Sequence, residues 1–199
     1  MMRLFVALDL PRALRTRLSF LCGGLPGVRW VPPENYHVTL RFIGELPVWR
    51  AEEVDHALAN IRAPGFELTL AGVGAFNKAG RVSSLYVGID RNPALEHLQT
   101  KVERALQAAG VEGERRRYIP HVTMARLEGA RGEGVPEAKV AGWVQSHNLF
   151  RSTPVPIEHF TLFSSLLGKE QAAYCPEAEY DLTGDLSAQT AQAGLPGLP

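Results

Sequence analysis

The chain has few of the features that mark secreted, membrane or metal-binding proteins. It has two cysteines, Cys22 and Cys175, in no spacing typical of a zinc or redox motif. Isolated thiols of this kind are typical of a reducing cytoplasm, and a single disulfide is the alternative. No apolar run approaches the roughly 20 residues that span a bilayer, and the strand-like N-terminus is too short for a signal peptide. We therefore expect a soluble cytoplasmic protein.

The chain also lacks an excess of charge of either sign. Its 21 Lys and Arg residues equal its 21 Asp and Glu residues, so the formal net charge is zero. This balance argues against a broad basic surface that coats DNA, but it leaves room for a small basic pocket around one phosphate group. No P-loop pattern is present, which fits a reaction that does not use ATP. No heptad repeat or exposed apolar stripe stands out, so we expect a monomer.

Hydrophobic periodicity predicts an α+β fold. Of the 199 residues, 45% are hydrophobic, which permits a sizeable core. Alternating stretches predict strands, and apolar residues three or four positions apart predict helices. The predicted strands are 3–9, 28–31, 36–43, 66–70, 82–89, 119–127, 157–164 and 172–182. The predicted helices are 11–21, 47–61, 93–109 and 136–147, and 71–80 is predicted as a glycine-rich loop or short strand.

The order of these elements predicts two similar lobes. We expect each lobe to be a small antiparallel sheet backed by helices, with the two lobes related by pseudo-twofold symmetry around a central cleft. Residues 1–184 would form this single bilobal domain. From about residue 185 to 199 the chain is mostly Ala, Gln, Gly and Pro, which predicts a flexible tail.

One four-residue pattern occurs twice, and the copies are called the HVT segments: His37-Val38-Thr39-Leu40 and His121-Val122-Thr123-Met124. Because alternate residues of a strand face the same side, the His and Thr of each segment share one face. The valine and its apolar partner share the other face, which can bury in a core. Two such polar faces, brought together, would supply two imidazoles and two hydroxyls.

Two imidazoles and two hydroxyls suit chemistry at a phosphate ester. One neutral His can take a proton from water or a ribose hydroxyl, and a protonated His can give one to the departing oxygen, because the imidazole pKa is about 6.5. Each Thr hydroxyl can donate to a non-bridging phosphate oxygen. This chemistry requires no metal. A zinc site needs three or four protein ligands, whereas each HVT segment offers one His and contains no acidic or Cys residue. A two-His metal site with remote carboxylates is the alternative.

The flanks of the two segments strengthen the functional interpretation. A single His-x-Thr on a strand is more often a hydrogen-bonded surface pair than a catalyst. Both copies, however, have a tyrosine upstream, Tyr36 or Tyr118, and an arginine downstream, Arg41 or Arg126. This shared context favours one site that uses both segments.

Three stretches resemble a known family: RLFVALDLP at 3–11, NYHVTLRFIG at 35–44 and YIPHVTMAR at 118–126. They resemble the 2H phosphoesterases, and within them most closely the RNA 2′,3′-cyclic phosphodiesterases, also called 2′-5′ RNA ligases. The resemblance extends over about residues 3–182. The double motif with its flanks is specific, whereas either half by itself is not. The match is thinner at 168–174, so no site residue is predicted there.

The resemblance implies a set of functional residues and a reaction. His37 and His121 would be catalytic, Thr39 and Thr123 would hold the phosphate, and Arg126 would contact the substrate phosphate. The implied reaction hydrolyses a 2′,3′-cyclic phosphate at an RNA or nucleotide 3′ end and leaves a 2′-phosphate. It uses no cofactor. The expected partners are RNA 3′ ends or nucleoside 2′,3′-cyclic phosphates.

The repeat leaves the direction of proton transfer open. We favour His121 as the group that activates water and His37 as the group that protonates the departing O3′, with the reverse as the alternative. Two other functions also stay open: a module that binds nucleotide or RNA without turnover, and ATP-independent 2′-5′ joining as the main activity. Two intact His/Thr pairs favour the enzyme, since binding does not need two proton-transfer groups.

Two further groups of residues have competing interpretations. Arg115-Arg116-Arg117 either guides RNA phosphates toward the site or is a solvated loop balanced by nearby glutamates. Among the aromatics that could stack a base, Phe5 and Phe42 are predicted to be core residues. Trp30 has an equal claim to either role.

Overall fold

The computed structural model describes residues 1–127, 135–167 and 172–183. Its strands are β1 (Met2–Asp9), β2 (Arg29–Trp30), β3 (His37–Leu46), β4 (Phe66–Leu68), β5 (Leu70–Lys78), β6 (Arg81–Ile89), β7 (His121–Arg126), β8 (Val155–Ile157), β9 (His159–Leu167) and β10 (Ala172–Asp181). Its α-helices are α1 (Arg12–Ser19), α2 (Val48–Ala59), α3 (Pro93–Ala108) and α4 (Glu137–His147). The predicted α+β class is confirmed. The stretch 71–80 lies largely within β5.

One antiparallel sheet passes through the molecule in the order β10-β9-β1-β3-β7-β6-β5, with β2 also beside β7. β4 and β8 form a separate two-stranded sheet. The large sheet has two halves, β10-β9-β1-β3 and β7-β6-β5. They meet where Val38 of β3 pairs with Val122 of β7. The two HVT segments therefore lie on neighbouring strands at the centre of the molecule.

The two halves do not follow the order of the chain. The β5–β6 hairpin, which precedes α3, pairs with β7. The β9–β10 hairpin, at the other end of the chain, pairs with β1. Neighbouring strands in a fold are usually close in sequence. Chain order by itself therefore predicts that β3 pairs with the β5–β6 hairpin and β7 with the β9–β10 hairpin. The exchange ties the two halves into one structure.

The helices cover one face of the sheet and bury its apolar residues. The main core cluster unites both central strands with β1, α2 and α3 (Leu4, Val6, Leu8, Val38, Leu40, Val54, Leu58, Leu95, Leu98, Val102, Leu106, Val122 and Met124). Each such side chain contributes about 1.5–3 kcal/mol by leaving water. This packing fixes the apolar face of both HVT segments. The opposite face of the sheet carries the histidines and threonines and is called the site face.

Helix α3 shows how local sequence sets the ends of an element. The Asn92 side chain accepts a hydrogen bond from the Leu95 N–H at 3.1 Å, which caps the first turn as predicted. Pro93 occupies the first helical turn, where its missing N–H is not needed. Gly110, with a φ of 76°, takes the left-handed conformation that ends the helix. The helix packs on α2 and on β3, behind the first HVT segment.

Some sequence expectations concern features outside the sheet. Both cysteines are free thiols, with Cys22 half-buried and Cys175 exposed, as predicted. Within the described ranges, no helix is both long and apolar enough to cross a membrane. The predicted flexible tail, 185–199, lies outside the described residues.

Candidate active site

The alternation of the two HVT segments places four polar side chains on the site face. Val38 and Val122 are fully buried toward the helices, whereas the His and Thr on either side of each valine are only half-buried. Because β3 and β7 are antiparallel at the Val38–Val122 pair, the His of each segment lies on the side of the other segment's Thr. The structure thus brings the two His/Thr pairs together on one face.

Both histidine rings are oriented by the same local hydrogen bond. His37 Nδ1 lies 2.8 Å from the carbonyl oxygen of Asn35, and His121 Nδ1 lies 2.7 Å from that of Ile119. A carbonyl oxygen only accepts, so each Nδ1 carries the proton and donates it. The Nε2 atom of each neutral ring is then left with a lone pair, which is the form that can accept a proton from a substrate or water.

Asn35 links the first histidine to β10. Its side chain donates a hydrogen bond to the carbonyl oxygen of Ala172 at 2.8 Å, while its own backbone carbonyl accepts from His37. Asn35 therefore fixes the ring of His37 and connects the start of β3 to the start of β10.

Each HVT segment is followed by an irregularity of the same kind. Thr39 pairs with Ala7 and Arg41 with Val6, which leaves Leu40 without a partner on β1. Thr123 likewise pairs with Tyr86 and Ala125 with Leu85, which leaves Met124 without a partner on β6. A bulge of one extra residue reverses the alternation of the residues that follow it. In both strands, the residue five positions after the His therefore returns to the site face.

The bulges give the two flanking arginines different roles. Arg126, five positions after His121, is exposed on the site face. Arg41, four positions after His37, points to the helices, where it is only 9% exposed and pairs with Glu103 of α3 at 2.6 Å. Arg41 also donates to the carbonyl oxygens of Phe42 and Glu112. Arg126 therefore lies in solvent on the site face, whereas Arg41 is a buried ion-pair partner of α3.

The prediction that Phe42 lies in the core is wrong, for the same reason. The bulge at Leu40 shifts the alternation, so that Arg41 takes the buried face and Phe42, at 49% exposure, lies in solvent. The prediction for Phe5 is confirmed, since that residue is 2% exposed. The Phe5 ring centroid lies 5.7 Å from that of Phe42 and 5.0 Å from that of His37.

Each catalytic candidate rests in an aromatic cradle that the sequence did not reveal. His37 contacts Phe5 and, at 5.2 Å and nearly perpendicular, Tyr174 of β10. His121 contacts Phe76 at 4.8 Å and Tyr86 at 5.7 Å, both edge-on. Phe76 and Tyr86 stack on one another at 4.3 Å. The two cradles repeat the pseudo-symmetry of the HVT segments and hold the rings in place.

A glycine in β5 makes room for the second cradle. A Cβ built on Gly74 would come within 2.5 Å of the Tyr86 ring, so glycine lets that ring lie against the strand. A period-two pattern in β5 and β6 could have identified these residues from the sequence. It places Phe76 and Tyr86 on the same face as Gly74 and Ser84.

Burial and a nearby cation lower the pKa of both histidines. Burial lowers the pKa of His37 from 6.5 to about 4, and the charges of Arg126 and His121 add to this effect, whereas the hydrogen bond to Asn35 opposes it. Burial also lowers the pKa of His121, and Arg126 again adds to the effect. Both rings are therefore mainly neutral near pH 7 in the free protein. An anion between them would raise both pKa values.

Three other candidates have mainly structural environments. Tyr36 is 1% exposed, with its hydroxyl 3.1 Å from the Cys22 sulfur. Trp30 is half-buried and packs on Trp143 of α4, with the ring centroids 5.8 Å apart, which favours its core role. Tyr118 packs against the main core.

The arginine run before β7 is largely paired within its own loop. Arg115 contacts Glu112 at 3.2 Å, and Arg116 contacts Glu114 at 3.0 Å. The hydrogen bond from Arg116 lowers the pKa of the Glu114 carboxyl to about 2. These pairs favour the solvated-loop interpretation for two of the three arginines.

Among the described residues, no group of three or more His, Cys, Asp or Glu side chains is placed to hold a metal ion. The arrangement on the site face comprises two imidazoles, two hydroxyls and a guanidinium. These are groups that transfer protons and donate hydrogen bonds to an anion.

Comparison with known proteins gives consistent matches along most of the chain. A family model described as LigT like Phosphoesterase matches residues 8–86 and 87–174. An RNA 2′,3′-cyclic phosphodiesterase of Aeropyrum pernix is 40% identical over 121 residues, which cover 60% of this chain and 68% of the relative. Another, of Archaeoglobus fulgidus, is 27% identical over 176 residues, which cover 87% of this chain and 96% of the relative.

Solved structures agree with these matches. The crystal structure of E. coli LigT complexed with 3′-AMP superposes with a TM-score of 0.72 at 25% sequence identity, over 92% of this chain and 99% of that one. TT0787 of Thermus thermophilus gives a TM-score of 0.70 at 26% identity, over 92% of this chain and 100% of that one. Each of the two family-model matches contains one HVT segment. The resemblance to the 2H phosphoesterases is therefore confirmed, and the chain belongs to the LigT-like phosphoesterase family.

Proposed function

We propose that this protein hydrolyses 2′,3′-cyclic phosphates at RNA or nucleoside 3′ ends to 2′-phosphates, without a metal ion. The observation that carries the proposal is the pair of histidines on adjacent strands. Each donates Nδ1–H to a backbone carbonyl and keeps Nε2 for the reaction. Relatives named RNA 2′,3′-cyclic phosphodiesterase support the substrate class.

The reaction needs one proton to be removed and one to be supplied. Water attacks phosphorus in line with the P–O3′ bond, and one neutral histidine takes its proton. The P–O3′ bond breaks as the other histidine, protonated, delivers its proton to O3′. The product is a 2′-phosphate with a free 3′-hydroxyl, and proton exchange with solvent returns both rings to their starting states. An acid and a base placed in this way each contribute about 10²–10⁴-fold in rate.

Either histidine can act as the base, and the sequence and the structure favour different ones. The sequence interpretation favours His121 as base and His37 as acid. The deeper burial of His37, with its pKa of about 4, favours His37 as the neutral partner in the free protein. Both assignments require one acid and one base, and a substrate with a sulfur leaving group distinguishes them.

The remaining groups on the site face hold the phosphate and the nucleoside. Thr39 and Thr123 lie two residues after their histidines on the same face, and each hydroxyl donates to a non-bridging oxygen. Arg126 supplies a full positive charge and a planar pair of donors. Phe42, half exposed beside Phe5, offers a flat apolar surface on which a base can stack.

Product analysis by phosphorus NMR tests the proposed function. Protein dialysed against excess EDTA is incubated with a nucleoside 2′,3′-cyclic phosphate, and the products are compared with authentic 2′- and 3′-phosphates. We expect complete conversion to the 2′-phosphate. Binding of the nucleotide without turnover at any pH would instead identify a binding module. Loss of activity after chelation that a divalent cation restores would identify a metal-dependent reaction.

The lowered pKa values predict a shift between two pH profiles. The profile of kcat/KM reports the free enzyme, in which burial and Arg126 disfavour the protonated rings. Its bell-shaped maximum should therefore lie below pH 6.5, with an acidic limb near the His37 pKa of about 4. The bound cyclic phosphate is an anion and favours protonated histidine. The maximum of kcat should accordingly lie at higher pH than that of kcat/KM.

An Arg126→Gln variant tests whether the charge of Arg126 lowers the pH at which kcat/KM is maximal. Removing this cation raises the pKa of both histidines, because Arg126 lowers both in the wild type, so the kcat/KM maximum should move to higher pH as activity falls. Arg104→Gln, at an exposed arginine on α3 behind the sheet, should leave the profile where it is. Superimposable profiles for wild type and Arg126→Gln would refute the electrostatic role of Arg126.

A further inference from the structure

The two histidines have different neighbours on the strands that flank β3 and β7. On β1, Asp9 is directly opposite His37. On β6, the residue directly opposite His121 is Gly88. Residues that are directly opposite in an antiparallel pair point to the same face, with Cβ atoms about 4.5–5.5 Å apart. The pseudo-symmetry of the HVT segments is therefore broken by one carboxylate, which lies beside His37.

The packing of the strands requires the glycine beside His121. A Cβ built on Gly88 would lie 2.8 Å from the carbonyl oxygen of Ala71 on β5. Because that oxygen belongs to the backbone, it cannot turn aside as a side chain could, and a larger residue would force β5 and β6 apart. The strand next to His121 therefore has no room for a carboxylate at this position.

Two contacts hold the carboxylate of Asp9 at the end of β1. Its Oδ1 accepts a hydrogen bond from the Leu10 N–H at 3.0 Å and lies 3.4 Å from Nη1 of Arg15 on α1. The side chains of Arg15 and Asp9 are 25% and 42% exposed, so water screens this ion pair and weakens it. On β9, the next strand beyond β1, Nε2 of His159 lies 3.8 Å from a carboxylate oxygen of Glu179. Arg15 thus offsets the charge of Asp9 only in part.

The charge of Asp9 acts on His37 and opposes the effects that keep this ring neutral. Burial lowers the pKa of His37 most, and the charges of Arg126 and His121 lower it further, whereas the backbone hydrogen bond at Nδ1 and the charge of Asp9 raise it. The other titratable group against the ring is Tyr174 of β10, which lies edge-on at 5.2 Å. Asp9 is therefore the group whose negative charge favours the imidazolium of His37 in the free protein.

The surroundings of His121 contain no such group. Burial lowers the pKa of His121, the hydrogen bond to the Ile119 carbonyl raises it, and Arg126 lowers it. A bound cyclic phosphate adds a negative charge beside both rings and offsets Arg126 for both. His37 then has a second negative group next to it, whereas His121 has Gly88. The carboxylate is thus a lasting difference between the two sites when substrate is bound.

We propose that Asp9 is a positioning residue that distinguishes the two histidines, because its carboxylate stabilises the protonated form of His37 in the substrate complex. This inference rests on the proposed function, since it concerns the proton that His37 carries while the cyclic phosphate is cleaved. Asp9 acts through the imidazole and needs no contact with the substrate. A proton stabilised on His37 favours the assignment in which His37 protonates O3′ and His121 activates water.

NMR titration of the imidazole signals of His37 and His121 tests the effect of Asp9 directly. The wild type and Asp9→Asn are titrated free and with a nucleoside 2′-monophosphate bound. Asparagine has the shape of aspartate and can still accept the Leu10 N–H, but it has no charge. We expect the pKa of His37 to be lower in Asp9→Asn than in the wild type, and that of His121 to change less. An unchanged pKa of His37, or an equal change at both rings, would overturn the role of Asp9.

Turnover gives a second measurement that a merely structural role would not change in the same way. Asp9→Asn should lower kcat about two- to fivefold, the size expected for a partly exposed ion pair. It should also move the kcat/KM maximum to lower pH, which is opposite to the shift expected for Arg126→Gln. Asp9→Glu keeps the charge and should recover most of both effects. A wild-type kcat and pH profile in Asp9→Asn, or losses that Asp9→Glu does not recover, would count against the proposal.

Two further variants complete the experiment. Glu45→Gln removes an exposed carboxylate from the other end of β3, opposite Arg3 of β1, and should match the wild type in the titrations and in turnover. Thermal unfolding checks the fold of each variant. If Asp9→Asn does not fold, Asp9→Ser replaces it, since the serine hydroxyl can also accept the Leu10 N–H.

The outcomes separate this inference from the proposed function, because the titrations need no turnover. If the wild type turns over no cyclic phosphate, the proposed function fails. If it does turn over the cyclic phosphate but the titration of His37 is the same in Asp9→Asn, the role of Asp9 is overturned and the proposed function stands.

Discussion

Replacing either His37 or His121 with alanine is expected to lower kcat for a nucleoside 2′,3′-cyclic phosphate by about 10²–10⁴-fold. Each imidazole is fixed by a backbone carbonyl at its Nδ1 and by an aromatic cradle, and alanine removes the group that transfers the proton. Nucleotide binding should persist in both variants, since Thr39, Thr123 and Arg126 remain. Single-turnover rates and equilibrium binding of the product measure the two effects separately.

The control for this experiment is a histidine elsewhere in the fold. His97 lies on the exposed side of α3, on the helical face of the sheet, and His97→Ala should keep wild-type kcat. The double variant His37→Ala/His121→Ala should lose little more than the worse single variant, because the two groups act as a unit. Near-wild-type turnover by either single variant would contradict two-His catalysis.

Replacing Thr39 or Thr123 with valine is expected to lower kcat by about 10²–10³-fold. Valine has nearly the shape of threonine but cannot donate a hydrogen bond to the phosphate oxygen, whose charge grows in the transition state. Loss of one such donor in other enzymes has effects of this size. Serine keeps the hydroxyl, so Thr39→Ser and Thr123→Ser should recover most of the rate.

The threonine series needs a check that the fold is intact. Thr100 on α3 is exposed, and its hydroxyl donates to the Glu96 carbonyl of its own helix at 2.9 Å, so Thr100→Val should have no effect on kcat. Thermal unfolding of Thr39→Val and Thr123→Val reports any loss of stability. Equal activity of the valine and serine variants at either position would show that the hydroxyl does not act on the phosphate.

The face that carries the two His/Thr pairs could be predicted from sequence because alternation is a local property of a strand. Each His and each Thr lies next to a fully buried valine, Val38 or Val122, and the buried valine fixes the face of its neighbours. The prediction fails for the residues that follow the bulge in each strand. Leu40 and Met124 each add a residue that the neighbouring strand does not match, and periodicity has no signal for such an insertion.

The two bulges explain why the prediction from sequence was wrong at the site. Arg41 and Phe42 exchange faces relative to simple alternation, so the arginine becomes a buried partner of Glu103 and the phenylalanine becomes exposed. Arg126 reaches the site face because the same bulge occurs in β7. Its role was implied only by family resemblance, and the bulge supplies a physical reason for its position.

The long-range pairings could not be predicted, for a different reason. Tyr174 contacts His37, and Phe76 contacts His121, through hairpins that are remote in the chain. The β5–β6 hairpin lies before α3 and yet pairs with the strand after it. Local patterns identify each strand, but they do not indicate which strand is its neighbour, so the aromatic cradles could not be predicted from the sequence.

The most direct test uses a nucleoside cyclic phosphate in which sulfur replaces the O3′ atom bound to phosphorus. A thiolate departs without a proton far more readily than an alkoxide, so this substrate does not need the general acid. Turnover is measured for the wild type, His37→Ala and His121→Ala with the oxygen and sulfur substrates. We predict that sulfur restores activity to one variant and leaves the other inactive. Rescue of His37→Ala would assign His37 as the acid, and rescue of His121→Ala would assign the reverse. Equal response of both variants, or of neither, would contradict catalysis by one acid and one base.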